Sequence, residues 1–535
     1  MLVPSAGPAV GYDGGPRTAA REQRHPLLRA PLWIVTAATA LMYCAQALLD
    51  YRRFLTSTFD LVIFDQGVRG YAHFHAPVSI ARGVADGQSV HFSLLSDHWS
   101  PLLALLAPLY WIHASPATLL VAQGLLFALA IPPLWLYTYR KLSSAVAAYM
   151  VCVAYALSLP IMAAVVFDFH EVAFVPVLTA LMVERFDAGK PWHGTAAAAT
   201  LLLVKEDMGL LVAGFGLYLL VTRRWRFGAC FTVGGIAATW VASRVLIPAF
   251  GGDPSFYWAY GQFGATPGRA LQNAFPHPWH TVRIFFTPWV KTRTMIGLLA
   301  TFGFLPLASP LVLAALPLLA ERMLASGYPL WWQAKFQYDA FLVMILACAA
   351  VDGASRIEPA FSRLVSRLAR LPRLSIRPGE GAMWRFGVLW AAAVCAAALV
   401  YLPSSPFRDL LHPKFYMLNA RNRAAAAAIA HVPPGALVEA ADTIGPRLSA
   451  RDTVLLLDGT PRWAPWVVAD TIGLDFPFCS PAAQAAEVSF YLTHGYTQVF
   501  AGRGYVVLHR PADWRTTQAL ANPSAAQRLH LNVCF

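Results

Sequence analysis

The chain has 535 residues, of which 57% are hydrophobic and 13% are charged, and its mean hydropathy is +0.50. Soluble globular proteins carry about 25% charged residues, so a chain this apolar cannot cover its surface with polar groups in water. The composition therefore excludes an ordinary soluble enzyme and predicts an integral membrane protein. The formal net charge is +13. Its basic residues stand in short clusters between apolar segments, which is typical of cytoplasmic loops and argues against nucleic-acid binding.

The N-terminal segment 1–30 is polar and rich in Pro, Gly and Arg, which predicts a disordered cytoplasmic tail. The apolar run that follows has no clear cleavage site, so we interpret it as a retained span and not as a signal peptide. A spanning helix needs about 20 apolar residues, and the sequence predicts about eleven such helices in a membrane domain over 31–404. The predicted spans are 31–50, 117–139, 143–166, 172–185, 193–205, 208–222, 227–249, 294–308, 311–325, 338–352 and 386–403.

The first long loop, 51–116, contains an apolar stretch at 101–112 that is too short to cross a bilayer. We interpret this stretch as a juxtamembrane or re-entrant helix. With that choice the basic clusters of the other loops fall on the cytoplasmic side, as the positive-inside rule requires, whereas a full span would place several of them outside. The odd number of spans then predicts a cytoplasmic N-terminus and an extracytoplasmic segment after residue 404.

Residues 405–535 differ from the rest of the chain and predict a small extracytoplasmic α/β domain. Its two cysteines, Cys479 and Cys534, are expected to form a disulfide in an oxidising compartment, with two free thiols as the alternative. The fold class is therefore an α-helical polytopic membrane protein with a C-terminal α/β domain. In that domain we expect strands at 438–441, 453–457, 497–500 and 505–508 and helices at 421–431 and 482–494.

Acidic and histidine-containing motifs lie in the predicted outer loops, at the ends of apolar helices. Ionisable groups at such places are costly and usually face a bundle interior or a water-filled cavity. Each motif alone can be a helix cap or a solvated turn, but four of them on one face favour a site for a cation or a general base. They are Asp60 with Asp65-Gln66, Asp97-His98, Asp168 with His170-Glu171, and Lys205-Glu206-Asp207; Arg322, Lys335 and Tyr338 follow in a later loop.

These motifs resemble the signature of a bacterial family of multi-spanning membrane proteins, domain of unknown function family 2079. The resemblance covers the chain from about 50 to 510 and includes the outer-domain phrases at 432–436 and 504–508. That family in turn resembles the GT-C superfamily of membrane glycosyltransferases, which use sugars carried on a polyprenyl phosphate. The resemblance implies a GT-C-like fold with a catalytic Asp in the first outer loop. The adjacent acidic pair expected there is absent, since Asp60 and Asp65 stand apart.

The resemblance implies an inverting transfer of a sugar from a polyprenyl-phosphate donor to a glycan or lipid-linked acceptor of the cell envelope. Such a reaction needs a carboxylate that deprotonates the acceptor hydroxyl and cations that stabilise the leaving phosphate. Asp65 is the first choice for this base, because its neighbour Gln66 can bind a sugar hydroxyl, and Asp60 is the second. Arg322 and Lys335 are expected to hold the phosphate.

The remaining candidates are expected to orient the sugar or to bind a metal ion. The only cofactor that the motifs suggest is a divalent cation, Mg²⁺ or Mn²⁺, with Asp60, Asp65, His170 and Glu171 as candidate ligands. The further substrate-binding candidates are Asp97, His98, Asp168, Lys205, Glu206, Asp207 and Tyr338.

Two other functions stay open. A transporter or flippase of envelope lipids or glycans is the first, although transporters usually show repeated halves and none is visible here. A non-catalytic envelope-assembly or carbohydrate-binding protein is the second. Under every reading the chain contacts membrane lipids and is expected in a bacterial plasma membrane. Its abundance of Ala, Arg and Pro is typical of GC-rich genomes, and the resemblance would suit an actinobacterial envelope.

Overall fold

The structure is a computed structural model that describes residues 30–253, 255, 258–368 and 385–534. Almost all of the predicted tail, 1–30, and much of the basic cluster between residues 356 and 385 lie outside the described residues. Within them, helices dominate the chain up to residue 404, and a small sheet follows. An α-helical membrane protein with a C-terminal α/β domain is therefore confirmed.

The helices of the first half begin and end close to the bounds that the apolar runs predict. Between α1 and α2, a single π-helical turn, Thr58–Val62, carries Asp60. The helices up to residue 249 are α1 Ala30–Arg52, α2 Ile63–Ala72, α3 Ile80–Ala85, α4 Leu94–Asp97, α5 Ala107–Ile112, α6 Pro116–Leu129, α7 Ile131–Leu142, α8 Ala145–Ala156, α9 Leu159–Val166, α10 Phe174–Asp187, α11 Pro191–Leu201, α12 Met208–Val221, α13 Trp225–Val241 and α14 Ile247–Ala249.

The helices of the second half include two that lie outside the predicted spans, α15 and α16, and a long one that ends at residue 368. They are α15 Pro267–Ala274, α16 Pro278–Phe286, α17 Trp289–Ala300, α18 Leu316–Leu324, α19 Ala340–Leu368 and α20 Phe386–Tyr401; the C-terminal domain adds α21 Ala420–Ala430, α22 Gly445–Leu448, α23 Pro481–Thr493 and α24 Trp514–Ala521.

Five helices in the described part of the chain are long and apolar enough to cross a membrane, and α8 with α9 makes a sixth if that pair, bent by 42°, counts as one span. The other predicted spans coincide with shorter helices, so the count of eleven stays a prediction. The stretch 101–112 forms a 3-10 turn that leads into α5, as its length predicted. The five are Ala30–Arg52, Pro116–Leu142, Trp225–Ala249, Gln337–Arg367 and Phe386–Ser404.

Glycines set the close packing of α12 against α13. A Cβ atom on Gly209 would lie 2.3 Å from the carbonyl oxygen of Gly235, and one on Gly216 would lie 2.4 Å from the backbone nitrogen of Thr232. Only glycine permits backbones to approach this closely, which is the usual way in which membrane helices pack without a hydrophobic driving force. The turn that precedes α12 carries Lys205 and Glu206, which form part of the site described below.

The C-terminal domain contains a five-stranded sheet in the order β2-β1-β3-β5-β4. Strand β1 pairs in parallel with β2 and β3, while β5 is antiparallel to both β3 and β4. Four strands match the predicted ones, β3 was not predicted, and a disulfide joins Cys479 to Cys534. The strands are β1 Leu437–Ala440, β2 Thr453–Leu456, β3 Trp466–Asp470, β4 Thr497–Gly502 and β5 Tyr505–His509.

The segment at the carboxyl end of β1 contacts the first loop directly. The backbone N–H and the hydroxyl of Thr58 both donate to the carbonyl oxygen of Asp442, each over 2.7 Å. The Arg462 guanidinium, which is buried beside Asp458, donates to the carbonyl oxygen of Val84 over 2.9 Å. Because these bonds join residues some 380 positions apart, they hold the α/β domain against the π-helical turn that carries Asp60.

The fit at this contact predicts the effect of one substitution. A Cβ atom on Gly445 would lie 2.2 Å from the hydroxyl oxygen of Thr58, so Gly445→Val must push the domain away from the loop. Overpacking of this kind costs about 1–3 kcal/mol, and we expect a lower thermal unfolding temperature in detergent, followed by intrinsic fluorescence. Gly297→Val is the control, because a Cβ atom there meets nothing within 4 Å. Equal unfolding temperatures for the two variants would contradict the described contact.

Candidate functional site

Asp60 lies in the π-helical turn, where local hydrogen bonds fix its backbone. Ser57 caps this turn, and its hydroxyl oxygen accepts a hydrogen bond from the Asp60 N–H over 3.2 Å. The Ser57 N–H and hydroxyl also donate to Oδ2 of Asp168 over 2.9 and 2.7 Å. A serine or threonine cap satisfies the free N–H groups of a helix start. Here the same serine also joins the first loop to the turn between α9 and α10.

His170 faces Asp60 across this junction. Its Nε2 atom lies 3.3 Å from Oδ1 of Asp60, and its ring packs against the rings of Phe64 and Phe167 at 5.3 and 5.4 Å. The backbone of its loop is held by Gln123 of α6, which accepts from the His170 N–H over 3.1 Å and donates to the Asp168 carbonyl over 2.7 Å. The ring therefore has a fixed position, from which its N–H can donate to the Asp60 carboxylate.

Two further ion pairs continue the cluster toward α12. Lys205 Nζ lies 3.0 Å from Oε1 of Glu171, and His98 Nδ1 lies 2.7 Å from Oε1 of Glu206. Glu206 also accepts from the backbone N–H of Trp99 over 3.0 Å. Residues from the first loop, the α9–α10 turn and the α11–α12 turn thus meet in one place. The structure brings the motifs at Asp60, at His98, at 168–171 and at 205–207 into one cluster.

Several polar atoms of this cluster are buried without a partner among the described residues. They are Oδ1 of Asp168, Nδ1 of His170, Oε2 of Glu171 and Oδ1 of Asp207. Buried polar groups are almost always hydrogen-bonded, so a water molecule or a ligand atom is expected beside them. The side chain of Asp60, in contrast, keeps 26% of its surface exposed. It is more exposed than Glu206, at 16%, and Glu171, at 3%, so a substrate can reach it.

Burial changes the proton affinity of these groups in different directions. It raises the pKa of Asp168 to about 7, aided by the nearby charge of Asp60 and opposed by the hydrogen bonds from Ser57. Burial alone would raise the pKa of Glu171, but Lys205 outweighs it and the pKa falls to about 2. For His170 burial lowers the pKa, yet the hydrogen bond and charge of Asp60 prevail and raise it. Glu171 is thus ionised at neutral pH, whereas Asp168 is partly protonated.

Asp65, the first choice for the base, lies apart from this cluster. It is fully buried, and its carboxylate accepts from the Tyr110 hydroxyl over 2.8 Å, from Arg69 over 3.1 Å and from the Ser449 hydroxyl. A carboxylate with all these donors has no free face for a substrate. This geometry favours Asp60 over Asp65 as the base, and Asp65 links the first loop to the C-terminal domain.

Gln66 and Asp97 are also engaged in structural contacts. The Gln66 carbonyl oxygen accepts from the Ser79 hydroxyl and the Ala81 N–H over 2.9 and 3.0 Å, and its amide donates to the carbonyl oxygen of residue 454. Asp97 accepts from the Arg82 guanidinium over 3.0 Å. The sugar-binding role expected of Gln66 does not fit this arrangement, because its amide is already used to fold the loop.

The two cations expected to hold a phosphate differ in their burial and in their partners. Arg322 is buried, pairs with Asp339 over 2.9 Å and donates to the carbonyl oxygens of Trp331 and Tyr338, so it cannot serve as the phosphate ligand predicted for it. Lys335 is exposed, and its amine lies 4.7 Å from the centre of the Phe336 ring.

Lys335 is joined to the cluster by a chain of aromatic rings. The Phe336 ring packs on that of Phe167 at 4.9 Å, and Phe167 stacks on His170. The phenol ring of Tyr338 lies 6.2 Å from the Phe336 ring. Lys335 therefore stands at the rim of the cluster with its charge available to a ligand, and Tyr338 lies close to the same rim.

Four residues of the site escaped the sequence analysis. Ser57 stands three positions before Asp60, the spacing of a cap, and Gln123 is a lone amide in an apolar helix; both were signals that could have been used. Asp442 and Asp475 come from the C-terminal domain. Asp442 follows β1, at the carboxyl edge of a parallel pair, where ligands of α/β sheets usually bind. No sequence pattern, however, indicates that this edge faces Asp60.

The described residues do not form a preassembled set of ligands for the metal ion that the sequence suggests. Among the described residues, no group of three or more His, Cys, Asp or Glu side chains is arranged to hold a metal ion. Of the four candidate ligands, Asp60 and His170 are in contact, Glu171 is paired with Lys205, and Asp65 is enclosed elsewhere. This arrangement of the described residues does not fit a bound divalent cation.

Together these features define a polytopic helical membrane protein whose α/β domain covers an acid–histidine cluster. The family model described as a predicted membrane protein, DUF2079, matches residues 50–485, and the chain belongs to this family. The resemblance carried by the loop motifs and the membrane assignment are thereby confirmed, whereas the orientation of the termini stays a prediction. A search of curated proteins found no match.

Among solved structures, the chain is similar to ArnT from Cupriavidus metallidurans bound to undecaprenyl phosphate, at 14% identity and a TM-score of 0.47 over 90% of this chain and 98% of that one. The apo state of the same protein gives 12% identity and a TM-score of 0.48 over the same shares of the two chains.

The hydrogen bond between Phe59 of the first loop and Asp442 of the C-terminal domain predicts how Asp442 tolerates substitution. Its Oδ1 accepts from the Phe59 N–H over 2.9 Å, and burial together with Asp475 raises the pKa of Asp442 well above its usual value. Asn at this position keeps a neutral acceptor, so we expect Asp442→Asn to unfold near the wild-type temperature. Asp442→Ala leaves the buried N–H unpaired and should cost about 1–3 kcal/mol. Equal loss in both variants, measured by thermal unfolding in detergent, would contradict this reading.

The raised pKa values of two buried carboxyl groups predict that the free energy of unfolding decreases as the pH rises. Burial raises the pKa of Asp168 and of Asp475 to about 7, whereas unfolded Asp titrates near 3.9. Between these values the folded state binds more protons than the unfolded state, so each step up in pH weakens folding. We expect the thermal unfolding temperature to fall between about pH 4 and about pH 7 and to level off above that. Asp168→Asn, which cannot ionise, should flatten this dependence; an unchanged slope would refute the assignment.

Proposed function

We propose that this protein is a membrane glycosyltransferase that transfers a sugar from a polyprenyl phosphate, with Asp60 as the general base. The observation that carries the proposal is the Asp60–His170 pair. The Asp60 side chain keeps 26% of its surface exposed, against 16% for Glu206 and 3% for Glu171, and it lies at the end of an apolar helix bundle, in contact with a separate α/β domain. A base must be both accessible and oriented by a second group. Asp60 meets both conditions.

The chemistry follows from the positions of the two carboxylate oxygens of Asp60. His170 donates to Oδ1, which leaves Oδ2 as the acceptor for the proton of the attacking hydroxyl. Ser57 lies 3.3 Å from Oδ2, but its shorter hydrogen bond goes to Asp168. The acceptor oxygen then bonds to the anomeric carbon, the bond from that carbon to the phosphate oxygen breaks, and its electron pair leaves with the phosphate. Attack from the opposite face inverts the configuration of the sugar.

The leaving phosphate requires a cation that is free to meet it. Lys335 supports this role, because it is exposed at the rim and connected through Phe336 and Phe167 to His170. Lys205 is less available, since Glu171 already neutralises it. A charge-assisted hydrogen bond from an ammonium to a phosphate contributes about 1.5–3 kcal/mol. The donor end of the substrate is therefore placed toward Lys335 and the acceptor end toward Asp60 and the α/β domain.

The proposal predicts different outcomes for the two acids of the first loop. Membranes containing the full chain would receive undecaprenyl phosphates carrying radiolabelled hexoses or pentoses, and the label leaving the donor lipid would be measured. Asp60→Asn removes the base and should lower this transfer by about 10²- to 10⁴-fold. Asp65→Asn is the matched control and should change it by less than about tenfold, because Asp65 is enclosed by Tyr110, Arg69 and Ser449.

Several results would count against this function. Equal transfer by Asp60→Asn and the wild type would exclude Asp60 as the base, and loss of transfer only in Asp65→Asn would restore the choice made from the sequence. Movement of intact labelled lipid across the bilayer, without release of the sugar and unaffected by either substitution, would favour a flippase. Both variants must be shown to be inserted and folded, by extraction in detergent and by a single thermal transition.

A further inference from the structure

Helices α15 and α16, with the turn between them, form a hairpin over 267–286 in which no residue is buried. Its large apolar side chains are among the most exposed of the molecule: Trp279 exposes 84% of its surface, Phe275 79% and Leu271 60%. A contiguous apolar surface of this kind marks a contact with another phase or molecule. The hairpin therefore needs an apolar neighbour that the described part of the chain does not provide.

The charges of the hairpin are all of one sign. It carries Arg269 and Arg283 together with His277 and His280, and the sequence contains no Asp or Glu between residues 254 and 320. Both arginines are exposed, and in the described part of the chain neither forms an ion pair. Trp, Phe and Leu on a short amphipathic helix with arginine beside them are the pattern of a segment that lies in the plane of a membrane interface.

The place of the hairpin in the fold agrees with this pattern. It follows the candidate span Trp225–Ala249 and precedes α17, whose first residue, Trp289, is 66% exposed. Trp side chains prefer the boundary between headgroups and acyl chains. An exposed Trp at the start of α17 therefore agrees with a membrane interface beside the hairpin.

The segment before the hairpin ties it to the helix bundle. The Tyr260 hydroxyl donates to the carbonyl oxygen of Glu321 over 3.0 Å, and the Ser326 N–H donates to that of Ala259 over 2.7 Å. Asn273 of α15 donates to the carbonyl oxygen of Phe263 over 2.7 Å. These bonds fix the position of the hairpin beside the bundle while leaving its apolar surface uncovered.

We propose that the α15–α16 hairpin lies in the headgroup layer of the bilayer and binds anionic phospholipids. Trp279 and Phe275 enter the boundary of the acyl chains, and Arg269 and Arg283 pair with headgroup phosphates. A second protein or a second copy of this chain could also cover an apolar surface. The absence of acidic residues over 254–320 favours a lipid partner, because it matches a surface whose charges are negative. This proposal does not depend on the transferase function.

The test uses photocrosslinking in the full chain. A p-benzoylphenylalanine in place of Trp279 or of Phe275 would be compared with the same residue in place of Trp514, which is 68% exposed in α24 of the C-terminal domain. The protein would be reconstituted in vesicles of phosphatidylcholine with a minor share of phosphatidylglycerol, irradiated, and analysed by mass spectrometry. We expect lipid adducts at 279 and 275 and none above background at 514.

The composition of the adducts tests the role of the arginines. We expect phosphatidylglycerol to be enriched in the adducts by about fivefold over its share of the vesicle. The double variant Arg269→Gln, Arg283→Gln should reduce this enrichment to the share itself while leaving the amount of lipid adduct within about twofold. Protein–protein adducts at 275 and 279, or an absence of lipid adducts there, would overturn the proposal. Enrichment that persists in the double variant would overturn the binding of headgroups by these arginines.

Discussion

The hydrogen bonds that Asp168 accepts from Ser57 are the contact on which the site depends. They join the first loop to the turn between α9 and α10, and so bring Asp60 within reach of His170. Asp168 itself has a φ of +46°, a left-handed conformation that is uncommon for a residue other than glycine and that Asp tolerates better than most. Gln123 holds the carbonyl oxygen of the same residue. A loop of otherwise ordinary sequence is thereby fixed at one geometry.

The C-terminal domain is part of this constraint and not an independent appendage. The backbone of Asp442 accepts both donors of Thr58, and its side chain accepts the N–H of Phe59. The π-helical turn is thus held by two sets of hydrogen bonds. Ser57 joins it to Asp168, and Thr58 and Phe59 join it to Asp442, just after β1. A small shift of the sheet would move Asp60 relative to His170. This is the physical reason to regard the domain as a wall of the site.

The sequence predicted the helices well, because long apolar runs determine them. It predicted the roles of the site residues less well, because contacts with residues distant in the sequence determine them. Long apolar runs fix α1, α6 and α20 by length alone. The choice between Asp60 and Asp65 depended instead on Tyr110 and Ser449, which lie 45 and 384 positions away from Asp65 and enclose its carboxylate.

Contacts that are distant in sequence also explain the other errors in the sequence analysis. Strand β3 was not predicted for this reason, since its pairing partner β5 begins almost 40 residues later. The role of Arg322 was also misjudged, because an exposed phosphate ligand and a buried pair with Asp339 have the same sequence signature.

The proposed substrate carries a phosphate, yet the cluster is rich in carboxyl groups, and this apparent conflict is resolved by how the charges are paired. Glu171 is neutralised by Lys205, Glu206 by His98, and Asp60 shares a hydrogen bond with His170. Close opposite charges of this kind produce little field at a distance. Pairing alone therefore removes most of the negative charge that a count of acids suggests.

Burial reduces the remaining charge. It raises the pKa of Asp168, Asp207 and Asp475 to about 7, so that each is partly protonated at neutral pH, and it also raises the pKa of Asp442 well above its usual value. Because these groups carry only part of their negative charge, the field of the exposed Lys335 ammonium can reach an incoming phosphate at the rim. The unpaired Oδ1 of Asp168 and Nδ1 of His170 are then left to meet uncharged hydroxyl groups. Under the proposed function, the cluster would therefore meet an anionic lipid at its rim and a neutral sugar in its interior.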